Sequence, residues 1–192
     1  MKYPPLWERA LKKLTDGIWW VRHRTINRYD VVWLRDLEPG YYEVEDRLFH
    51  SMMQILCDFV ERELAWHDWC CDQDSPKPKS RDRARGLAHL EWAIGLKCDE
   101  NHGVYPDEAH YGEPTGQAES AAEVKAIYLW YRDVFQKRLD VGDESGLYAT
   151  HETKGPAWEA ACKRHHELEE QRYAEEATYM KRLVDVRRSM WT

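Results

Sequence analysis

The chain has 192 residues, 43% hydrophobic and 33% charged, which excludes a disordered polymer and suits one globular domain over residues 1–192. A formal net charge of −7 speaks against general binding to duplex nucleic acid. Five cysteines without a Cys-x-x-Cys motif, no apolar run near the ~18 residues of a membrane span and no signal-peptide pattern imply a cytoplasmic protein with no membrane partner.

Pro4-Pro5 opens the first expected helix, because proline's fixed φ suits a first turn. Trp7, Leu11, Leu14, Ile18 and Val21 then recur at spacings of 4, 3, 4 and 3, a helical face that Gly17 weakens in the middle. Between residues 29 and 44 the period is lost. Val31-Val32-Trp33-Leu34 is strand-like and Glu38-Pro39-Gly40 is a turn signal, so a short β-hairpin near residues 31–44 competes with an extended loop, which fits better.

Residues 45–69 carry the clearest helical pattern. At about 100° per residue their apolar positions, from Leu48 and Phe49 to Val60 and Leu64, cover roughly half the circumference. So wide an arc predicts a central, largely buried helix. A loop with two prolines follows at about 70–80, then a third helix over 81–97 with Leu87, Leu90 and Ile94 inward. Residues 99–116 read as a long acidic surface loop and 117–139 as a fourth helix. After a linker at 140–155, Pro156 starts a final helical segment reaching nearly to Trp191, with residues 172–176 polar enough for a solvated stretch or a break. The pattern predicts an all-α, single-domain bundle of about five helices.

Charge is distributed unevenly. Residues 1–35 hold eight Lys/Arg against three acids, +5, leaving 20 basic against 32 acidic residues, −12, for the remainder. From Cys98 to Val124 there are seven acids and no Lys or Arg.

Pro39-Gly40-Tyr41-Tyr42, Leu48-Phe49-His50 and Cys57-Asp58-Phe59-Val60-Glu61 resemble the corresponding stretches of a group of small helical proteins encoded by tailed bacteriophages. The close of the chain, Met180-Lys181-Arg182-Leu183 through Met190-Trp191-Thr192, is similar to the close of the same group. The group has no assigned activity. The resemblance implies a phage protein acting in the cytoplasm of an infected bacterium and supplies no catalytic residue.

Standard catalytic signatures are absent: there is no phosphate-binding glycine loop, His-Glu-x-x-His, Gly-x-Ser-x-Gly or Glu-x-x-His. Three constellations remain. On the central helix, with His50 at 0°, Cys57 falls near −20°, Glu61 near 20° and Gln54 near 40°, at about 100° per residue. This single polar stripe is either a satisfied border, with His50 hydrogen-bonded and Glu61 solvated, or one wall of an inter-helix site. A divalent metal held by His50, Asp58, Glu61, Glu119 and Glu123 would make an all-α nucleotide phosphohydrolase. His67, Cys70, Cys98 and His102 have spacings that a zinc site can use, against adjacent cysteines more often buried as apolar residues.

The third constellation is aromatic and cationic. Trp19, Trp20, Arg22, Arg24 and Arg28, with Tyr41, Tyr42 and His50, could form a ligand site in which guanidinium groups hold phosphate and aromatic rings stack. The simpler alternative makes Trp19 and Trp20 core residues with arginines on the solvated face. Trp and Tyr also dominate protein-interface hot spots. The expectation is therefore an accessory binding protein whose partner is a host protein or a small nucleotide-type ligand, with a minor structural or assembly role as a further alternative.

Overall fold

A computed structural model describes residues 6–25, 32–66, 80–150 and 154–190. These residues are mainly helical: α1 (Leu6–Thr25), α2 (Val44–Glu61), α3 (Arg83–Ile94), α4 (Gly116–Leu129), a short α5 (Val141–Ser145) and α6 (Pro156–Val186). Among the described residues there is no strand, and 32–43 run extended without pairing, so the loop replaces the hairpin. An isolated antiparallel bridge joins Lys97 to Pro114.

The helices begin where side chains satisfy their free N–H groups. Asp82 accepts from Arg85 N at α3, and the Thr115 hydroxyl accepts from Ala118 N at 3.1 Å at α4. Pro156 occupies the first turn of α6. Helix α2 stops at Glu61, eight residues short of the expected end, because Leu64 and Trp66 adopt φ of 52° and 58°. A bulky residue in that left-handed region costs about 1–2 kcal/mol. Full burial of both side chains, with Trp66 Nε1 donating to the Ser189 carbonyl at 2.5 Å, offsets the cost.

The core forms where α2, α3, α4 and α6 meet, around Met53, Leu56, Leu90, Val124 and Ile127. Helix α3 crosses α2 closely at Gly86, where a β-carbon would stand 2.3 Å from the Val60 carbonyl oxygen. Helix α4 turns into a π-helical stretch, Trp130–Val134, and then a 3₁₀ turn, Phe135–Lys137. The final helix runs unbroken through residues 172–176, where Arg172 donates to the Leu139 carbonyl and pairs with Glu144 beside α5. The acidic loop is pinned at its base by Cys98 N to Glu113 O, Gly112 N to Cys98 O and Thr115 N to Leu96 O.

The principal helix pairs are α3–α4, α5–α6, α2–α3, α4–α6, α2–α4 and α2–α6, and α1 belongs to none of them. Its apolar face is exposed: Trp7 at 62%, Leu11 at 56%, Leu14 at 64% and Ile18 at 60%. No described helix is long and apolar enough to cross a membrane.

Candidate functional site

The polar stripe of α2 faces inward, against the π-helical end of α4 and the extended chain before α2. Glu61 is only 4% exposed. Its Oε1 accepts from Tyr128 OH at 2.7 Å and from Arg132 Nε and Nη2 at 3.0 and 2.8 Å. Arg81 donates to Asp58 at 2.6 Å and stands 3.6 Å from the other Glu61 oxygen. The expectation of a solvated Glu61 is thus wrong. Two guanidinium groups converging on one carboxylate supply the counter-charge that lets it leave water.

Tyr131 continues the network outward. Its hydroxyl donates to Asp36 at 2.8 Å, and His50 Nδ1 lies 3.3 Å from the same oxygen. Burial lowers the His50 pKa, partly countered by Asp36 and Asp46, while burial and then the bond to Asp36 raise that of Tyr131. The Gln54 amide nitrogen donates to the Trp33 carbonyl at 3.3 Å and its oxygen turns to Arg81. Cys57 is fully buried beside them, and its thiol is pushed up to about 12, chiefly by burial. Such a thiol stays protonated at neutral pH and is a poor nucleophile.

The π-helical turn explains how α4 makes these contacts. One extra residue per turn places Tyr131 and Arg132 toward α2 while Trp130 turns to α6. There Trp130 stacks on Tyr179 with centroids 3.7 Å apart, donates to Glu175 at 2.7 Å and lies under the Arg138 guanidinium. The stripe is therefore a packed, ion-paired junction between helices, in which Arg81 and Arg132 face Asp36, Asp58 and Glu61 and the buried Arg81 Nε has no partner among the described residues. Sequence reasoning placed His50, Gln54, Cys57 and Glu61 together but missed Asp36, Arg81, Tyr128, Tyr131 and Arg132. The available signal was the need of Asp58 and Glu61, on an otherwise apolar helix, for cations from elsewhere.

The expected metal set does not assemble. Glu119 is exposed, and Glu123 accepts both Arg182 Nε at 2.6 Å and Nη2 at 2.9 Å, away from Asp58 and Glu61. Among the described residues no three of His, Cys, Asp and Glu are grouped to hold a metal ion. In the other set, Cys98 faces the Pro114 carbonyl and His102 Nδ1 the Asp99 carboxylate at 2.8 Å, while His67 and Cys70 lie outside the described residues.

Of the aromatic and cationic set, Arg28 and the side chains of Trp19, Arg22 and Arg24 lie outside what is described. Trp20 is exposed, so it is not a core residue. Tyr41 is exposed, Tyr42 half-buried, and His50 belongs to the Tyr131 network. Among the described residues, one concave surface is an apolar groove of about 340 Å³ between α2 and the end of α6, lined by Ile55, Phe59 and Val184 together with Glu63 and Arg187. No protein-family model, curated protein or solved structure matches the chain.

Proposed function

We propose that this protein is a non-catalytic binding protein that captures a protein partner through helix α1, and, following the phage resemblance, that the partner belongs to the infected bacterial cell. The observation that carries the reading is the exposed seam of Trp7, Leu11, Leu14 and Ile18 along one face of a 20-residue helix. A soluble domain seldom leaves so continuous an apolar stripe uncovered unless something docks on it. Spacing of 4, 3 and 4 is the pattern by which an amphipathic helix engages a groove or another helix. The buried carboxylates support binding over hydrolysis, since Asp58 and Glu61 are matched to arginines. A protein partner fits better than a nucleotide because the seam offers apolar contact rather than phosphate donors.

The test compares wild type with a Leu11→Glu/Leu14→Glu variant as immobilised bait in bacterial extract. Both side chains are exposed, so the variant keeps its core fold, checked by circular dichroism and thermal melting. The expected result is one partner retained near stoichiometrically by wild type, re-formed with the purified partner, and weakened at least tenfold by the variant. Equal retention by the two proteins would remove α1 from the function.

A further inference from the structure

The face of α2 that lines the groove carries the same register as α1. Leu48, Met52, Ile55 and Phe59 repeat at 4, 3 and 4, as do Trp7, Leu11, Leu14 and Ile18. Each set spans eleven residue steps, roughly 17 Å of helix. Leu48 and Ile55 are exposed on α2, and Val184 is exposed across the groove on α6. The α1 seam thus lies uncovered along its length, whereas on α2 Leu48 and Ile55 are exposed above a partly buried Met52 and a buried Phe59.

Resting on the reading of α1 as the interaction element, we propose that α1 of one copy docks in the α2–α6 groove of a second copy, and reciprocally, so that the free protein is a homodimer. Matched 4-3-4 seams allow knobs of one helix to enter the holes between the α2 and α6 side chains of the other.

Charge sets the direction. The first turn of α2 and its approach carry Glu43, Glu45 and Asp46, all exposed, whereas α1 ends on the sequence Arg22-His23-Arg24. An antiparallel arrangement brings these ends together and also opposes the helix dipoles. The same polarity holds for the whole chain, with +5 in residues 1–35 and −12 in the rest.

A second copy, rather than the chain's own α1, is the occupant because within one chain α1 is not among the helices principally packed on α2 or α6, where the groove lies. Trp33 and Asp36 are anchored on the Gln54 and Tyr131 side of α2. At about 100° per residue that side lies roughly opposite the Leu48–Phe59 seam. The described chain just before α2 is thus held on the face away from the seam, and the seam is left for a second copy. The area is sufficient. Trp7, Leu11, Leu14 and Ile18 with Val44, Leu48, Ile55 and Val184 make eight exposed large apolar side chains per copy. A loss of on the order of 60 Å² by each, counted over both copies, reaches the roughly 1,000 Å² that a biological interface requires.

The experiment is light scattering and sedimentation of the full chain across about 1–100 μM, with Leu14→Glu in the seam and Ile55→Glu in the groove. Wild type is expected at twice the chain mass of 22.9 kDa. Each substitution should weaken the dimer at least tenfold. An equimolar mixture of the two variants should recover a heterodimer through the one intact helix and the one intact groove. A monomer throughout, or a dimer that ignores Ile55→Glu, overturns the proposal. The second outcome marks α1–α1 pairing, and a monomer in which Ile55→Glu lowers the melting temperature as Leu14→Glu does marks closure within one chain. A monomer that still loses its captured partner on Leu11→Glu/Leu14→Glu refutes the dimer alone. A dimer whose partner capture ignores those changes refutes the proposed function alone.

Discussion

Glu61 shows what a single buried charge does in this chain. It accepts three hydrogen bonds at one oxygen from Tyr128 and Arg132, with Arg81 facing the other. Glu61→Gln keeps the shape and removes the charge, leaving two guanidinium groups poorly matched. Breaking one side of a buried ion pair costs about 3 kcal/mol or more, so urea unfolding should show a loss of that order; a loss below about 1 kcal/mol would mean the network is solvated. Glu176 behaves in the opposite sense. Its half-buried carboxyl is raised above its ordinary value of 4.5, first by burial and then by Asp46 and Glu175, against the opposing pull of Arg138 and Arg172. A carboxyl whose folded pKa is raised favours the fold when protonated and works against it as pH rises through that value. Glu176→Gln should therefore be more stable than wild type at pH 7, with the difference shrinking as pH falls toward the unfolded value near 4.5. A difference independent of pH between 4 and 7 would contradict this.

At the scale of elements, close approach and local winding decide the arrangement. Gly86 lets α3 pass against the backbone of Val60, and Gly86→Ala must push the helices apart because the obstacle is a carbonyl rather than a flexible side chain. Overpacking of this kind costs about 1–3 kcal/mol, which in a chain of this length should lower Tm by about 2–10 °C. An unchanged Tm would show that the crossing relaxes freely. Helical periodicity made α2, α3, α4 and α6 legible, because each repeats apolar residues toward a shared core. The early end of α2 was not legible, since it depends on Leu64 and Trp66 accepting left-handed backbone in return for burial. The π-helical turn was hidden for a similar reason. Nothing in Trp130-Tyr131-Arg132 itself calls for an extra residue per turn; the partners at Glu61, Asp36 and Tyr179 do. In α1 the 4-3-4-3 spacing was visible in the sequence, but whether the seam faced a core or stood free was not. Spacing defines a face and only packing shows what covers it.

At the scale of the molecule, α2, α3, α4 and α6 form one packed body in which α1 takes no principal part. The body buries its apolar surface among α2, α3, α4 and α6 and neutralises its interior carboxylates with arginines. The chain's positive charge is concentrated toward its start, and the apolar surface of α1 stands in solvent there. The groove between α2 and α6 is the apolar concave feature of that body. Under the two proposals, self-association and partner capture would draw on one helix. A partner taking α1 would then compete with the groove of a second copy, and raising the protein concentration should weaken partner capture in proportion as the dimer forms.

The proposed role of α1 as the surface through which the protein binds others is open to a direct experiment. Site-specific photocrosslinking in bacterial extract tests it most directly, with the photoreactive residue at position 14 in the seam and, as control, at position 105 in the exposed acidic loop. The expected result is a discrete adduct between position 14 and a second polypeptide, abolished when Leu11 is changed to Glu, and none from position 105. Adduct mass separates a second copy of this chain from a different protein. Folded protein that crosslinks to a different protein only from position 105, or that gives position-14 adducts unaffected by Leu11→Glu, would contradict it.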